Sequence, residues 1–159
     1  MDTRDVELAK LVLRQGELTL QAQLQLTTAA MARATTLAGL FAVTATAAVG
    51  YMLSNYGDEL ALALGGAGAG AALAVGAVLC VSSVWPTAFR TAGNLPSNWW
   101  VDGVKNRPLA ECLSNESDNY DDAIKRNRAS MAQEAKRFKF GAWLGCMSPA
   151  IGLICWALV

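Results

Sequence analysis

Three long runs without a charge, residues 34–57, 60–89 and 140–159, alternate with segments in which apolar residues recur three and four apart. A bilayer core of about 30 Å is crossed by about 20 residues of helix, so each run is long enough to span it. Ahead of the first run, Leu13, Leu20, Leu24 and Met31 fall on one helical stripe, widened by Leu8, Leu11 and Val12. The stretch from Leu18 to Leu26 also alternates with period two, as a strand would. Leu, Gln and Ala favour helix, however, and no second strand is available for pairing. This helix is expected to run unbroken into the first span, with Gly16 as its weakest point. Ahead of the third run, Leu109, Leu113, Tyr120, Ile124, Met131 and Phe138 repeat at helical spacing and Asn127 sits on the same stripe. A break at residues 114–118 is one expectation, because Ser, Asn, Glu and Asp favour caps and turns. Ser148-Pro149 removes a backbone donor inside the third run and should bend it.

The expected architecture is an all-α membrane protein: three transmembrane helices with a cytosolic helical stalk. Its parts are a cytosolic amphipathic helix (1–33), a first span (34–54), a second span (60–84), an interfacial connection (85–107), a cytosolic helix (108–139) and a third span (140–159). All 13 Lys and Arg residues fall outside the charge-free runs. With three spans they lie on one side, while Asp58 and Glu59 alone mark the other. The positive-inside rule then sets a cytoplasmic N-terminus and a periplasmic C-terminus in a bacterial inner membrane. Tyr51, Tyr56 and Trp85 stand near span ends, where amphipathic rings favour the interface.

Composition narrows the chemistry. Hydrophobic residues make up 53% and charged residues 16%, so the apolar excess must face lipid or other helices. Net charge is zero, which gives no reason to expect nucleic acid. There is no His, so the commonest general base and metal ligand is missing. Cys80, Cys112, Cys146 and Cys155 form no CxxC pair and read as free thiols. No nucleotide-binding glycine loop or nucleophile elbow is present. No enzyme, cofactor or metal site is expected.

The candidate residues are those of packing and membrane contact. Gly66 with Gly70, and Gly141 with Gly145, each match GxxxG, which clears one helix face for close approach, within one chain or between chains. Thr36, Thr44 and Thr46 can line a water-filled path, or bond back to the preceding turn and pack. Asn127 can fix the register of an oligomer, or meet a Gln of residues 5–32 within the chain. Trp99, Trp100, Lys136, Arg137 and Lys139 are placed to contact lipid headgroups. No span has a charge near its centre, which argues against a coupled transporter.

The order of parts, with Ala30-Met-Ala-Arg-Ala-Thr-Thr36, Gly93-Asn-Leu-Pro-Ser-Asn-Trp99 and Tyr120-Asp-Asp-Ala-Ile-Lys-Arg-Asn127, resembles the transmembrane effectors of cyclic-nucleotide antiphage (Pycsar-type) systems. That resemblance implies a protein that oligomerises and impairs the inner membrane when a nucleotide signal arrives, and it assigns no binding residue here. The leading expectation is a self-associating membrane protein that alters bilayer permeability, as a defence effector would, with the lipid bilayer and further copies of itself as partners. Two alternatives stand beside it: a scaffold subunit docking a soluble protein partner through its cytosolic helices, and a holin-like phage lysis protein.

Overall fold

A computed structural model describes residues 3–57, 59–84, 89–93, 104 and 106–159, and all regular structure among them is helical. Helix α1 runs Thr3–Asn55, α2 Leu60–Ser82, α3 Leu109–Cys146 and α4 Ser148–Ala157. The protein is all-α. Two helices, α1 and α2, are long and apolar enough to cross a membrane by themselves; α3 and α4 together make a third such element, bent by 46° at their junction.

Helix α1 is unbroken through Gly16 and through the Leu18–Leu26 alternation. Six of its threonines add no unmet donor to the surface, because they bond back one turn. Thr19, Thr28, Thr35, Thr36, Thr44 and Thr46 donate to the carbonyls of Gln15, Leu24, Met31, Ala32, Leu40 and Ala42 at 2.8–3.0 Å. The helix stops where Asn55 and Ser54 both turn onto the Tyr51 carbonyl. Helix α2 stops where the Ser82 and Ser83 hydroxyls take the Leu79 and Cys80 carbonyls.

Helix α3 begins after Pro108, whose carbonyl accepts from the amides of Glu111 and Cys112. It continues through residues 114–118 without a break. The break comes at Met147 instead. Pro149, in the first turn of α4, has no N–H to return to the Gly145 carbonyl, and the chain bends there.

The chain divides into two compact units. One holds Met1–Thr28 with Thr87–Met131; the other holds Ala29–Pro86 with Ala132–Val159. In the first, α1 and α3 meet along a seam of alternating three- and four-residue steps: Leu20, Gln23 and Thr27 on α1; Leu113, Glu116, Tyr120, Ala123 and Asn127 on α3. In the second, Ala38, Phe41 and Ala45 of α1 pack with Leu73, Ala77 and Cys80 of α2, and α2 lies along α4. Of the 85–107 connection, residues 85–88, 94–103 and 105 lie outside the described residues, and so do the expectations placed on Trp99 and Trp100.

Candidate functional site

The apolar unit is assembled on glycine. Without a hydrophobic force between helices in lipid, association depends on close van der Waals fit. Helix α2 supplies small residues on two faces. Gly66 and Gly70 face α1: a Cβ on Gly66 would sit 3.2 Å from the Ala48 carbonyl oxygen, and one on Gly70 3.5 Å from the Ala48 Cβ. Gly65, Gly68 and Gly76 face the α3–α4 element. A Cβ on Gly76 would stand 3.0 Å from the Gly141 oxygen, and one on Gly152 2.9 Å from the Gly65 oxygen. Gly141 returns the contact, with Leu79 Cβ at 2.9 Å and Cys80 N at 3.2 Å from its own virtual Cβ. Gly145 gives its space to the ring of Phe41, which a methyl there would overlap. Both GxxxG pairs are therefore occupied by helices of the same chain. The spacing rule did not flag Gly65, Gly68, Gly76 and Gly152, because each belongs to a glycine face built from mixed steps.

The other unit has a polar seam. Asn127 is 2% exposed, and its amide is fully committed. Its Oδ1 accepts the backbone N–H of Arg90 at 3.1 Å, and its Nδ2 donates to the Arg90 carbonyl at 2.8 Å and to Gln23 Oε1 at 3.3 Å. Gln23 Nε2 in turn donates to the Ile124 carbonyl at 3.3 Å. Asn127 thus reaches a Gln of the N-terminal helix, and it also clasps residue 90 by both backbone groups, as a neighbouring strand would. Thr27, one turn beyond Gln23, is buried, and among the described residues its hydroxyl has no hydrogen-bond partner.

Two turns before the clasp, Tyr120 lies against Gly16, where a Cβ would come within 2.9 Å of its ring. The glycine is a slot for the ring rather than a weak point. Burial pushes the Tyr120 hydroxyl above its ordinary pKa of 10.0, helped by the negative charges of Glu17 and Glu116 and by a hydrogen bond to Glu17, and opposed by one to the Gly93 backbone. Glu116 is itself buried and accepts from Asn119 Nδ2 at 3.3 Å. Beside this group opens a polar cleft of 430 Å³, lined by Phe89, Arg90, Thr91, Gly93, Asn119 and Tyr120 among others. Neither the Arg90 clasp nor the Tyr120 slot has a local sequence signal, because each joins residues far apart in the chain.

Thr36, Thr44 and Thr46 lie on the exposed side of α1. Lys136, Arg137 and Lys139 are exposed on α3, seven to ten residues before that helix ends at Cys146. Among the described residues no cluster of His, Cys, Asp or Glu has the makings of a metal site. Comparison with protein-family descriptions, with curated proteins and with solved structures finds no match to this chain.

Proposed function

We propose that this chain is a self-associating, three-span protein of a bacterial inner membrane that alters the membrane's permeability, in the manner of a defence effector. The carrying observation is where the apolar surface lies. In the unit of Ala29–Pro86 and Ala132–Val159, the buried core is small residues plus Phe41 and Leu73, while Leu40, Val43, Val78, Trp143, Leu153 and Ile154 point outward, each more than half exposed. Lipid is the natural solvent for such an exterior. The basic residues Lys136, Arg137 and Lys139 then stand on the cytoplasmic side of the third span, against anionic headgroups.

A path for water or ions is placed between copies in this reading. The grooves of the apolar unit are open and apolar: one of 520 Å³ between α1 and α2 is lined by Ala38, Gly39, Ala42, Ala77, Val78 and Val81. The exposed side of α1 carries Thr36, Thr44 and Thr46 to the contact between copies, and Thr44, at the margin of that contact, is the hydroxyl such a path would meet. Purified full-length chain in liposomes should release a trapped dye in proportion to a power of protein density above one. Absence of release at any density removes the permeability reading.

The cleft beside Tyr120 favours a second reading, in which the same chain is a scaffold that seats a segment of a soluble partner there. That reading expects intact liposomes and co-purification of a partner that is lost when the cleft is filled by Thr91→Trp.

A further inference from the structure

Among the described residues, one side of α1 is left unused by packing within the chain. Its buried side recurs every seven residues through Leu20, Thr27, Ala34 and Phe41, the 3.5-residue period of a left-handed supercoil. On the opposite side the same period picks out every seventh residue from Leu8 to Gly50 and every seventh from Leu11 to Leu53. All of them are exposed.

Two independent observations mark this side as one that is normally covered. The first is charge. From Leu18 to Ala32, α1 carries no charged residue, whereas the exposed side of α3 carries Asp121, Asp122, Lys125, Arg126 and Arg128. Water suits the second surface; the first presents Leu18 and Leu26, 52% and 62% exposed, and Leu8 and Leu11 continue its line toward the N-terminus, 61% and 65% exposed. The second is glycine. A glycine inside a helix costs about 1 kcal/mol relative to alanine. In α2, α3 and α4 every glycine offsets that cost by close approach of a neighbouring helix. Gly39 and Gly50, both on the unused side of α1, have nothing within 4 Å of a virtual Cβ.

We propose that this side of α1 packs against the same side of α1 in a second copy, parallel and in register. The inference rests on the self-association reading and assigns its surface. Lipid cannot cover leucines that precede the span, and a soluble partner cannot cover Gly39 and Gly50 within it. The occupant must pass from water to lipid at the same point along its length, and a second α1 does. Copies inserted the same way can meet only in parallel.

Side-chain chemistry agrees with identical partners. Gln15 and Gln25 are exposed on the seam, and an amide, being both donor and acceptor, is satisfied by its own equivalent. Glu7 and Arg14, which border the seam, face Val12 and Thr19 of the second copy, and like charges meet only at its start, at Arg4, one heptad before Leu11.

The test is disulfide trapping in the full chain at low density in liposomes, with a copper–phenanthroline oxidant. Leu11→Cys and Leu18→Cys should each give at least tenfold more covalent dimer than the unsubstituted chain and than Lys125→Cys, which is exposed on the charged side of α3. Mass photometry of the unsubstituted chain runs alongside. An oligomeric chain whose Leu11→Cys and Leu18→Cys variants trap no better than Lys125→Cys overturns this surface and leaves self-association standing. A chain that is monomeric throughout overturns both.

Discussion

Alanine at Gly145 and alanine at Gly141 should behave differently, because the atoms they would strike differ in kind. At Gly145 the obstacle is a side chain, the ring of Phe41. At Gly141 it is mostly backbone, with the Gly76 oxygen at 3.0 Å and Cys80 N at 3.2 Å, beside Leu79 Cβ at 2.9 Å. Overpacking of a well-filled interface costs about 1–3 kcal/mol. Alanine's better helix propensity returns about 1 kcal/mol. Approaches this close put the penalty in the upper part of that range, so each single variant should lose about 1–2 kcal/mol, a margin set by fit.

The pairs separate the two cases. Phe41→Leu removes the aromatic edge for about 1 kcal/mol. In the background of Phe41→Leu, Gly145→Ala should then cost little, giving a coupling of about 1.5 kcal/mol. Leu79→Ala cannot move the Gly76 carbonyl, so its coupling to Gly141→Ala should stay below about 0.5 kcal/mol. Reversible unfolding of the full chain by SDS in mixed micelles, followed by tryptophan fluorescence, measures both cycles. Equal coupling in the two cycles, or a neutral Gly145→Ala, would refute the claim that these glycines set helix separation.

Three further outcomes are expected. Asn127→Leu removes three hydrogen bonds and leaves Gln23 Oε1 and both backbone groups of Arg90 without their partner, a loss of about 3 kcal/mol; amide exchange at Arg90 should speed up about a hundredfold, and unchanged protection there would refute the clasp. Thr27→Val keeps the shape and removes a buried hydroxyl that has no partner among the described residues, so it should raise unfolding free energy by about 1 kcal/mol in the same SDS titration. Tyr120 has its pKa raised in the folded chain, so the stability tied to its protonated form is complete below pH 10.0 and is lost as pH rises through the higher folded value. Tyr120→Phe should abolish that alkaline component in a pH series of unfolding curves.

Much of the fold is legible in the sequence because a helix long and apolar enough to cross a membrane is written in composition over long windows. The charge-free runs mark α1, α2 and the α3–α4 element, and Pro149 marks the bend, since a missing donor is a local fact. The helix through Leu18–Leu26 follows from the propensities of Leu, Gln and Ala against a misleading period of two. Glycine spacing reveals that Gly66, Gly70, Gly141 and Gly145 permit close approach. It carries no information on which helix approaches, and it is silent on Gly65 and Gly152, which meet only because α2 and α4 lie together. Asn127 stands out as a polar residue on an apolar stripe. Its principal partner is the backbone of residue 90, and backbone groups have no signature in the residue at their position.

The two units spend their polar residues in opposite ways, and that contrast supports different roles for them. In Ala29–Pro86 with Ala132–Val159, the buried side of α1 is Ala34, Ala38, Phe41 and Ala45, and exact fit is its source of cohesion. In Met1–Thr28 with Thr87–Met131, the buried seam instead holds Gln23, Thr27, Glu116 and Asn127, while five leucines of α1 face outward. A seam held by a few directional bonds gains specificity over strength: each bond has one geometry, and losing one partner leaves another group unmet. It is also the easier of the two to open, because water can replace a hydrogen bond but cannot replace the contact of Gly76 with Gly141. A signal acting on this protein would therefore find its lever at the Gln23–Asn127–Arg90 clasp, beside the polar cleft, rather than among the glycines.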